Sequence, residues 1–478
     1  MHSVAICALV ALLLAGCYGM RRSKGGGQIA AVSQRKLDTA AIAIARGYTI
    51  TPVITDLTFP TACDFDDQGR LYVIEAGYSY GEVWTAPRLI RIDGDNSKTV
   101  IATGDKNGPW TGLVYHDGNF YVAEGGQLNG GKILRIGMDG KITALVSDLP
   151  AFGDHHTNGP AIKGDYIYFG QGAATNSGVV GPDNAKFGWL KRKPDFHDIP
   201  CQDIELAGHN FESADTAATN RKVVTGAYSA FGTTTRPGQV IKGKVPCTGA
   251  IMRIPLQGGA PELVAWGLRN PYGLRFNADG KLFVTDNGYD ERSSRPIWGA
   301  GDLLWEITPG TWYGFPDFSG HQILEGDIEF KGPGKPAAQS LLKKHPNQPP
   351  QPAAVLGVHS SSNGFDFDTG GFFAKGEAFV AQFGDMAPGV GKVVAPVGFK
   401  VVRVNPQTGV IRDFVVNKGK RNAPASYLGS GGLERPVSVK FSRSGEQLYI
   451  VDFGIVTTDK NGPKPTAGTG VVWKIAKR

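Results

Sequence analysis

Gly273-Leu274-Arg275-Phe276-Asn277-Ala278-Asp279-Gly280-Lys281-Leu282-Phe283-Val284 reads as one β-hairpin: an apolar strand, an Asp-Gly turn, and a second strand of the Leu-Phe-Val kind. Asp-Gly supplies the positive φ of a tight turn, and the β-branched and aromatic residues around it suit a pleated surface. The same form returns along the chain. Residues 62–73 turn at Asp67-Gln68-Gly69, 112–122 at Asp117-Gly118-Asn119, and 159–169 at Lys163-Gly164-Asp165. Residues 364–380 carry a longer turn, and 437–451 turn at Ser444-Gly445. Six copies predict an all-β, six-bladed β-propeller, each blade a four-stranded antiparallel sheet. Outer strands of the blades are expected at Leu89-Ile90-Arg91-Ile92, Ile133-Leu134-Arg135-Ile136, Ile251-Met252-Arg253-Ile254, Val401-Val402-Arg403-Val404 and Val472-Trp473-Lys474-Ile475. Their recurring cation reads as a solvent-facing position.

A chain of 478 residues exceeds an ordinary single core, so several domains or one repeat-built ring are required. Gly (67) and Pro (30) make it turn-rich, while 41% hydrophobic residues suffice for a folded core. Fifty basic against 43 acidic residues leave a formal charge of +7. The densest basic cluster is only Lys191-Arg192-Lys193, which speaks against a nucleic-acid partner.

Residues 4–15 form an apolar run of signal-peptide length, too short for a permanent membrane span. It ends Leu14-Ala15-Gly16-Cys17, which resembles a bacterial lipobox. That resemblance implies a signal peptide over 1–16, a lipid on Cys17 and a polar tether over 17–46. The propeller then spans 47–478, with insertions near 173–248 and 331–352. An exported lipoprotein on the periplasmic side of the outer membrane or the cell surface is expected, touching membrane through its acyl chains alone. The other reading of Cys17 is an ordinary cysteine in a plain secretory signal. No CxxC or CxxCH motif occurs among the cysteines. Cys201 and Cys247 share one insertion and could pair in an oxidising compartment, and Cys63 reads as a buried thiol.

Three segments could carry chemistry. His155-His156-Thr157-Asn158-Gly159 enters the third hairpin, where a histidine near the central channel could serve as a general base. Gly267-Leu268-Arg269-Asn270-Pro271-Tyr272-Gly273 enters the fourth, and Arg269 offers a planar fork for a carboxylate or quinone oxygen. Thr285-Asp286-Asn287-Gly288-Tyr289-Asp290-Glu291 is an oxygen-rich turn suited to Ca²⁺. Each segment could equally be an ordinary polar turn.

Together with Gly310-Thr311-Trp312-Tyr313-Gly314-Phe315-Pro316, these segments resemble the motifs of the pyrroloquinoline quinone (PQQ)-dependent sugar dehydrogenases, a six-bladed propeller family that includes soluble aldose dehydrogenases and sorbosone dehydrogenase-like proteins. The similarity runs from about residue 57 to the C-terminus. It implies His156 as the base that takes the substrate hydroxyl proton while hydride passes to the quinone. It further implies Arg269, Asn270, Asn287 and Arg435 as PQQ contacts, and Gly288, Tyr289, Asp290 and Glu291 as the surroundings of a Ca²⁺ that polarises the quinone. A sugar or polyol substrate and an external electron acceptor complete the expectation. The chain departs from the pattern at Leu433, where a second arginine is expected, and at Ala173, where the histidine's acidic partner is expected. Tyr289 replaces a proline, and Val380-Ala381-Gln382-Phe383-Gly384-Asp385 lacks a lysine.

Two other readings compete. A lactonase-type hydrolase would hold a metal on Asp286, Asn287, Asp290 and Glu291, and a non-catalytic surface propeller would hold none.

Overall fold

The computed structural model describes residues 35–218, 220–326, 328–386, 393, 396–459 and 462–478. The signal peptide and the Cys17 lipidation site lie outside the described residues. Six sheets of four or more strands form six blades around a central channel. The innermost strands are Pro60–Phe65, Trp110–His116, Thr157–Lys163, Pro271–Phe276, Ser362–Phe367 and Pro436–Phe441. Each is followed by its antiparallel partner, so all six sequence hairpins are the inner halves of blades one to six.

The strands expected on the outside are in fact third strands, each covered by a fourth. Blade four has Gly301–Glu306 there, with Leu303-Leu304-Trp305 and no cation. Arg91, Arg135, Arg253, Arg403 and Lys474 are half-buried rather than free in solvent, because strands flank them on both sides.

Packing explains the apolar density of the strands. Each blade is buried on both faces, so alternate residues go to opposite neighbours. Tyr72, Ile74 and Leu89 pack with Trp110, Leu113 and Phe120 of blade two. Val73 and Ile90 instead pack with Val437, Val451 and Val472 of blade six. Cys63 is buried in that second cluster, and its thiol is pushed up by burial. The glycines that open the hairpins let neighbouring blades approach near the axis. A Cβ at Gly112 would lie 2.1 Å from the Gly159 oxygen, and one at Gly273 would lie 2.6 Å from the Asn363 oxygen.

The ring closes by strand exchange between the chain ends. Tyr48–Leu57 is the outermost strand of blade six, paired with Gly470–Lys477. Ile42–Ile44 adds a fifth strand to blade five, against Ile411–Asn417. Arg35 donates to the Gly432 and Thr469 carbonyls and pairs with the buried Asp452 carboxylate. The tether expected over 17–46 does not include residues 35–46, which find a sheet edge and a buried carboxylate.

The second strand of every blade ends in an acid or amide: Glu75, Glu124, Gln171, Asp286, Gln382 and Asp452. Each reaches back to the segment that enters its own inner strand. Glu75 accepts the Thr58 N–H, Asp286 those of Arg269 and Asn270, and Asp452 those of Glu434 and Arg435. These three satisfy entry-segment N–H groups that would otherwise be buried and unpaired, while Glu124, Gln171 and Gln382 bond side chains or carbonyls at the corresponding place.

The long insertion leaves blade three between Gln171 and Ala250. It carries two short helices, Pro182–Lys186 and Trp189–Arg192, and the hairpin of Asn210–Ala214 with Lys222–Gly226. Cys201 and Cys247 are disulfide-bonded with Cα atoms 5.1 Å apart. Residues 331–352 lie between the third and fourth strands of blade four. No helix among the described residues is long and apolar enough to cross a membrane.

Candidate active site

Entry segments and the loops after the second strands meet at one end of the channel. His156 immediately precedes the inner strand of blade three, and its Nδ1 lies 2.9 Å from the Gln127 side-chain nitrogen of blade two. Tyr78 of blade one meets the imidazole edge-on at 6.3 Å. Burial lowers the His156 pKa to about 4, so the ring is uncharged near neutrality. In the observed orientation the Gln127 nitrogen faces the ring and its oxygen is buried without a partner. Turning the amide over lets Nδ1–H donate to that oxygen and leaves the Nε2 lone pair free, the state a base requires. Gln127 thus stands where the sequence pattern places an acid at Ala173. Ala173 itself is buried, and its carbonyl lies 2.8 Å from His155 Nδ1. His155 is buried and held far below the ordinary imidazole value by burial and by Arg269, so it is a packing residue.

An amide chain spans the floor from blade three to blade five. Asn158 donates to Asn270 (3.0 Å), Asn270 to Asn287 (2.8 Å), and Asn287 to the Ser362 carbonyl (2.9 Å). Each NH₂ keeps a second hydrogen beyond these bonds.

Arg269 does not present an open fork. It is buried, with Nε and one terminal nitrogen on Asn176 at 2.9 and 2.8 Å. Its other contacts are the Asn287 carbonyl at 3.3 Å and Asp290 at 3.4 Å. Its role is to tie the insertion to the blade-four loop.

The acidic turn is likewise spent on the protein. Asp290 pairs with Arg292 at 2.9 Å, His359 at 3.2 Å and Arg269. Burial pushes its carboxyl up, but Arg292, His359 and Arg269 outweigh this and hold it well below the usual carboxylate range. Its main-chain oxygen accepts from Asn176 and Ile297. Asp286 is the blade-four capping residue, also bonded by Trp305, and burial raises its carboxyl to about 6. Tyr289 is buried, stacked on Phe315, with its hydroxyl on the Phe318 carbonyl. Among the described residues no three His, Cys, Asp or Glu side chains gather to hold a metal. The Asp290 side chain, expected beside a metal, is instead engaged by Arg292, Arg269 and His359. Glu291 joins no metal-ligand group either. What the turn offers a cation is main-chain oxygen at Gly288 and Tyr289, and the remaining ligands calcium takes would have to come from water and the bound group.

Arg435 enters from blade six. It is fully buried, donates to the carbonyls of Phe383, Gly384, Asp385 and Val456, and lies between the rings of Phe383 and Phe399 at 4.9 and 5.0 Å. Burial lowers its pKa to about 10, which leaves it charged. Leu433, two residues earlier, is wholly buried in the core between blades five and six.

Tyr80, Gln127, Asn176, Arg292 and His359 were not singled out by the sequence. Tyr80 sits in the loop after the second strand of blade one and is 41% exposed overall. Its ring lies 6.3 Å from that of Tyr78 and 6.1 Å from that of Phe383. Arg292 joins Asp154 (2.7 Å), Asp183 (2.6 Å) and Asp290 into one network.

No protein-family model matches the chain, and no curated protein sequence does. Solved structures do. A Trichoderma reesei carbohydrate-active enzyme of family AA12 superposes with a TM-score of 0.56 at 15% identity, over 94% of this chain and 100% of that one. The holo PQQ domain of a Coprinopsis cinerea pyranose dehydrogenase gives 0.53 at 14% identity, over 94% and 99%. The PQQ-bound aldose sugar dehydrogenase of Streptomyces coelicolor gives 0.51 at 15% identity, over 91% and 99%. The six-bladed fold is therefore shared along almost the whole chain.

Proposed function

We propose that this protein is an oxidoreductase that oxidises an aldose or related polyol with PQQ as its hydride acceptor. The observation that carries the reading is the uncharged imidazole of His156, set on Gln127 at the end of the channel where all six entry segments meet. Sugar as the substrate class is supported by the pyranose dehydrogenase and aldose sugar dehydrogenase with which the fold is shared.

The residues fit the quinone on the evidence of two orphaned groups. Nε of Arg435 and Nε2 of His359 are buried with no partner in the protein. Such nitrogens suit the oxygens of an anionic aromatic group. Arg435 would hold that group by charge, and Asn270 and Asn287 by their remaining N–H bonds. When bound, the quinone supplies a two-electron hydride acceptor. His156 takes the substrate hydroxyl proton at Nε2, with Gln127 fixing the ring through Nδ1. Tyr78 packs edge-on against the imidazole, with Tyr80 beside it. An external acceptor is needed to remove the electrons. Calcium, if bound, would rest on the main-chain oxygens of Gly288 and Tyr289 and polarise the quinone. The hydrolase reading loses its donors, since Asp286 caps a strand entry and Asp290 is engaged by Arg269, Arg292 and His359.

Export as a Cys17-anchored lipoprotein, outside the cytoplasm, belongs to the same proposal. The Cys201–Cys247 bond suits that compartment. Dye reduction with PQQ and a panel of aldoses tests the activity. Sugar-dependent reduction that requires PQQ is the expected result, and lactone opening without quinone would replace the reading by the hydrolase.

A further inference from the structure

His359 stands between the outermost strand of blade four, Ala354–Val358, and the innermost strand of blade five. Its side chain is nine-tenths buried, and its backbone is left-handed at φ +57°. Nδ1 lies 3.2 Å from an Asp290 oxygen, and Nε2 has no partner in the protein. Asp290 is fixed in turn by Arg292 and Arg269.

The other charged groups around the ring are acids. Asp302, on the third strand of blade four, is bonded by Gly288, Ser360 and Ser362. Asp385 follows the second strand of blade five. Burial pulls the imidazole down, but Asp290, Asp385 and Asp302 outweigh it and raise it above its ordinary value. A ring held by a carboxylate at one nitrogen has its tautomer and orientation set, and its other nitrogen is the one left for a ligand. Buried polar atoms in folded proteins are nearly always bonded, so the unpaired Nε2 leaves a donor that a bound group could take.

We propose that His359 is a ligand-binding residue of the channel, donating from Nε2 to an oxygen of a bound quinone, with Asp290 as its positioning residue. The inference rests on the quinone reading and extends it to a residue outside the motifs that suggested it. On this view the Asp290 turn serves the ligand indirectly, by aiming an imidazole.

The test is binding of PQQ to the full chain, followed by quenching of tryptophan fluorescence. His359→Ala should weaken binding at least tenfold, while His359→Lys, which keeps a cationic donor, should recover most of it. Melting temperatures identify any variant that fails to fold, and His359→Leu, which also lacks a donor, then replaces the alanine variant. With ¹⁵N-histidine labelling, the His359 Nε2 resonance should move when PQQ is added, a change that a merely structural residue would not show. Unchanged affinity in a folded His359→Ala variant, or an unmoved resonance, overturns this inference alone. Failure of the wild-type protein to bind PQQ overturns the quinone reading and this inference with it.

Discussion

Gln127 and His156 meet across the boundary between blades two and three, amide to imidazole at 2.9 Å. The pair decides whether His156 can act as a base, because Nε2 is free of its proton only when Nδ1 donates to the amide oxygen. A glutamate at 127 offers only acceptors and enforces that state. Gln127→Glu should raise the His156 pKa by about 1–3 units through its charge. The acid limb of the pH–rate profile, expected near 4, should move upward with it. Gln127→Leu should lower turnover without that movement.

The adjacent histidines should separate cleanly. His156→Ala is expected to cut PQQ-dependent turnover about 10²–10⁴-fold with the fold intact. His155→Ala should show itself in stability, at about 1–3 kcal/mol, because it removes a buried bond to the Ala173 carbonyl. Dye reduction and thermal melts on both variants check this. Equal losses of turnover would remove the base assignment.

Asp290 pairs with Arg292 and Arg269 and bonds His359, so Asp290→Asn should destabilise towards the lower end of the about 3–5 kcal/mol typical of broken buried pairs. The lower end is expected because Arg292 keeps Asp154 and Asp183. The sign with pH follows from its depressed folded-state value. The wild-type contribution is present above the ordinary carboxylate pKa of about 4 and is lost as pH falls below it. Urea melts from pH 6 to 2 should therefore show a shallower acid decline in the variant. Calcium affinity, measured by calorimetry, should not change between the two.

The Cys201–Cys247 bond closes a sequence separation of 46 residues. Chain entropy alone assigns about 4 kcal/mol to such a loop. Replacing both by serine should lower the melting temperature and loosen the insertion that Arg269 grips through Asn176. A thiol count on the unreduced, denatured mature protein should find Cys63 free and the pair absent.

Cys17 lies outside the described residues, and its lipidation is tested by intact mass. A mature chain beginning at a diacylated Cys17 is expected, and an unmodified Cys17 would remove the anchor.

The blades were legible because each inner hairpin carries its own turn signal and its strands are dense in β-branched and aromatic residues. Register could also have been read further. Val73-Ile74-Glu75, Val122-Ala123-Glu124, Val284-Thr285-Asp286 and Ile450-Val451-Asp452 end alike, and that acid is the strand-entry cap. Asp286 consequently looked like a metal ligand when considered alone and like a repeat position when compared with its counterparts. The site was less legible because its pairs join distant loops. Gln127 and His156 are 29 residues apart, and Arg269 reaches back 93 residues to Asn176. No local spacing encodes such meetings, and the neutralisation of Arg269 and Asp290 appears only once partners from other blades are in place.

The exchange of strands that closes the ring also sets the order of events in folding. Tyr48–Leu57 belongs to a sheet whose other three strands are among the last made, Pro436–Phe441, Gln447–Asp452 and Gly470–Lys477. Five blades can hairpin locally as they emerge, but the sixth must wait with its ten-residue outer strand unpaired. Such a long-range pairing is slow, and a waiting edge is prone to pair with another chain. A protein cut short before residue 470 would therefore keep most of its local structure yet have a permanently open ring, which makes aggregation, rather than partial activity, its expected fate.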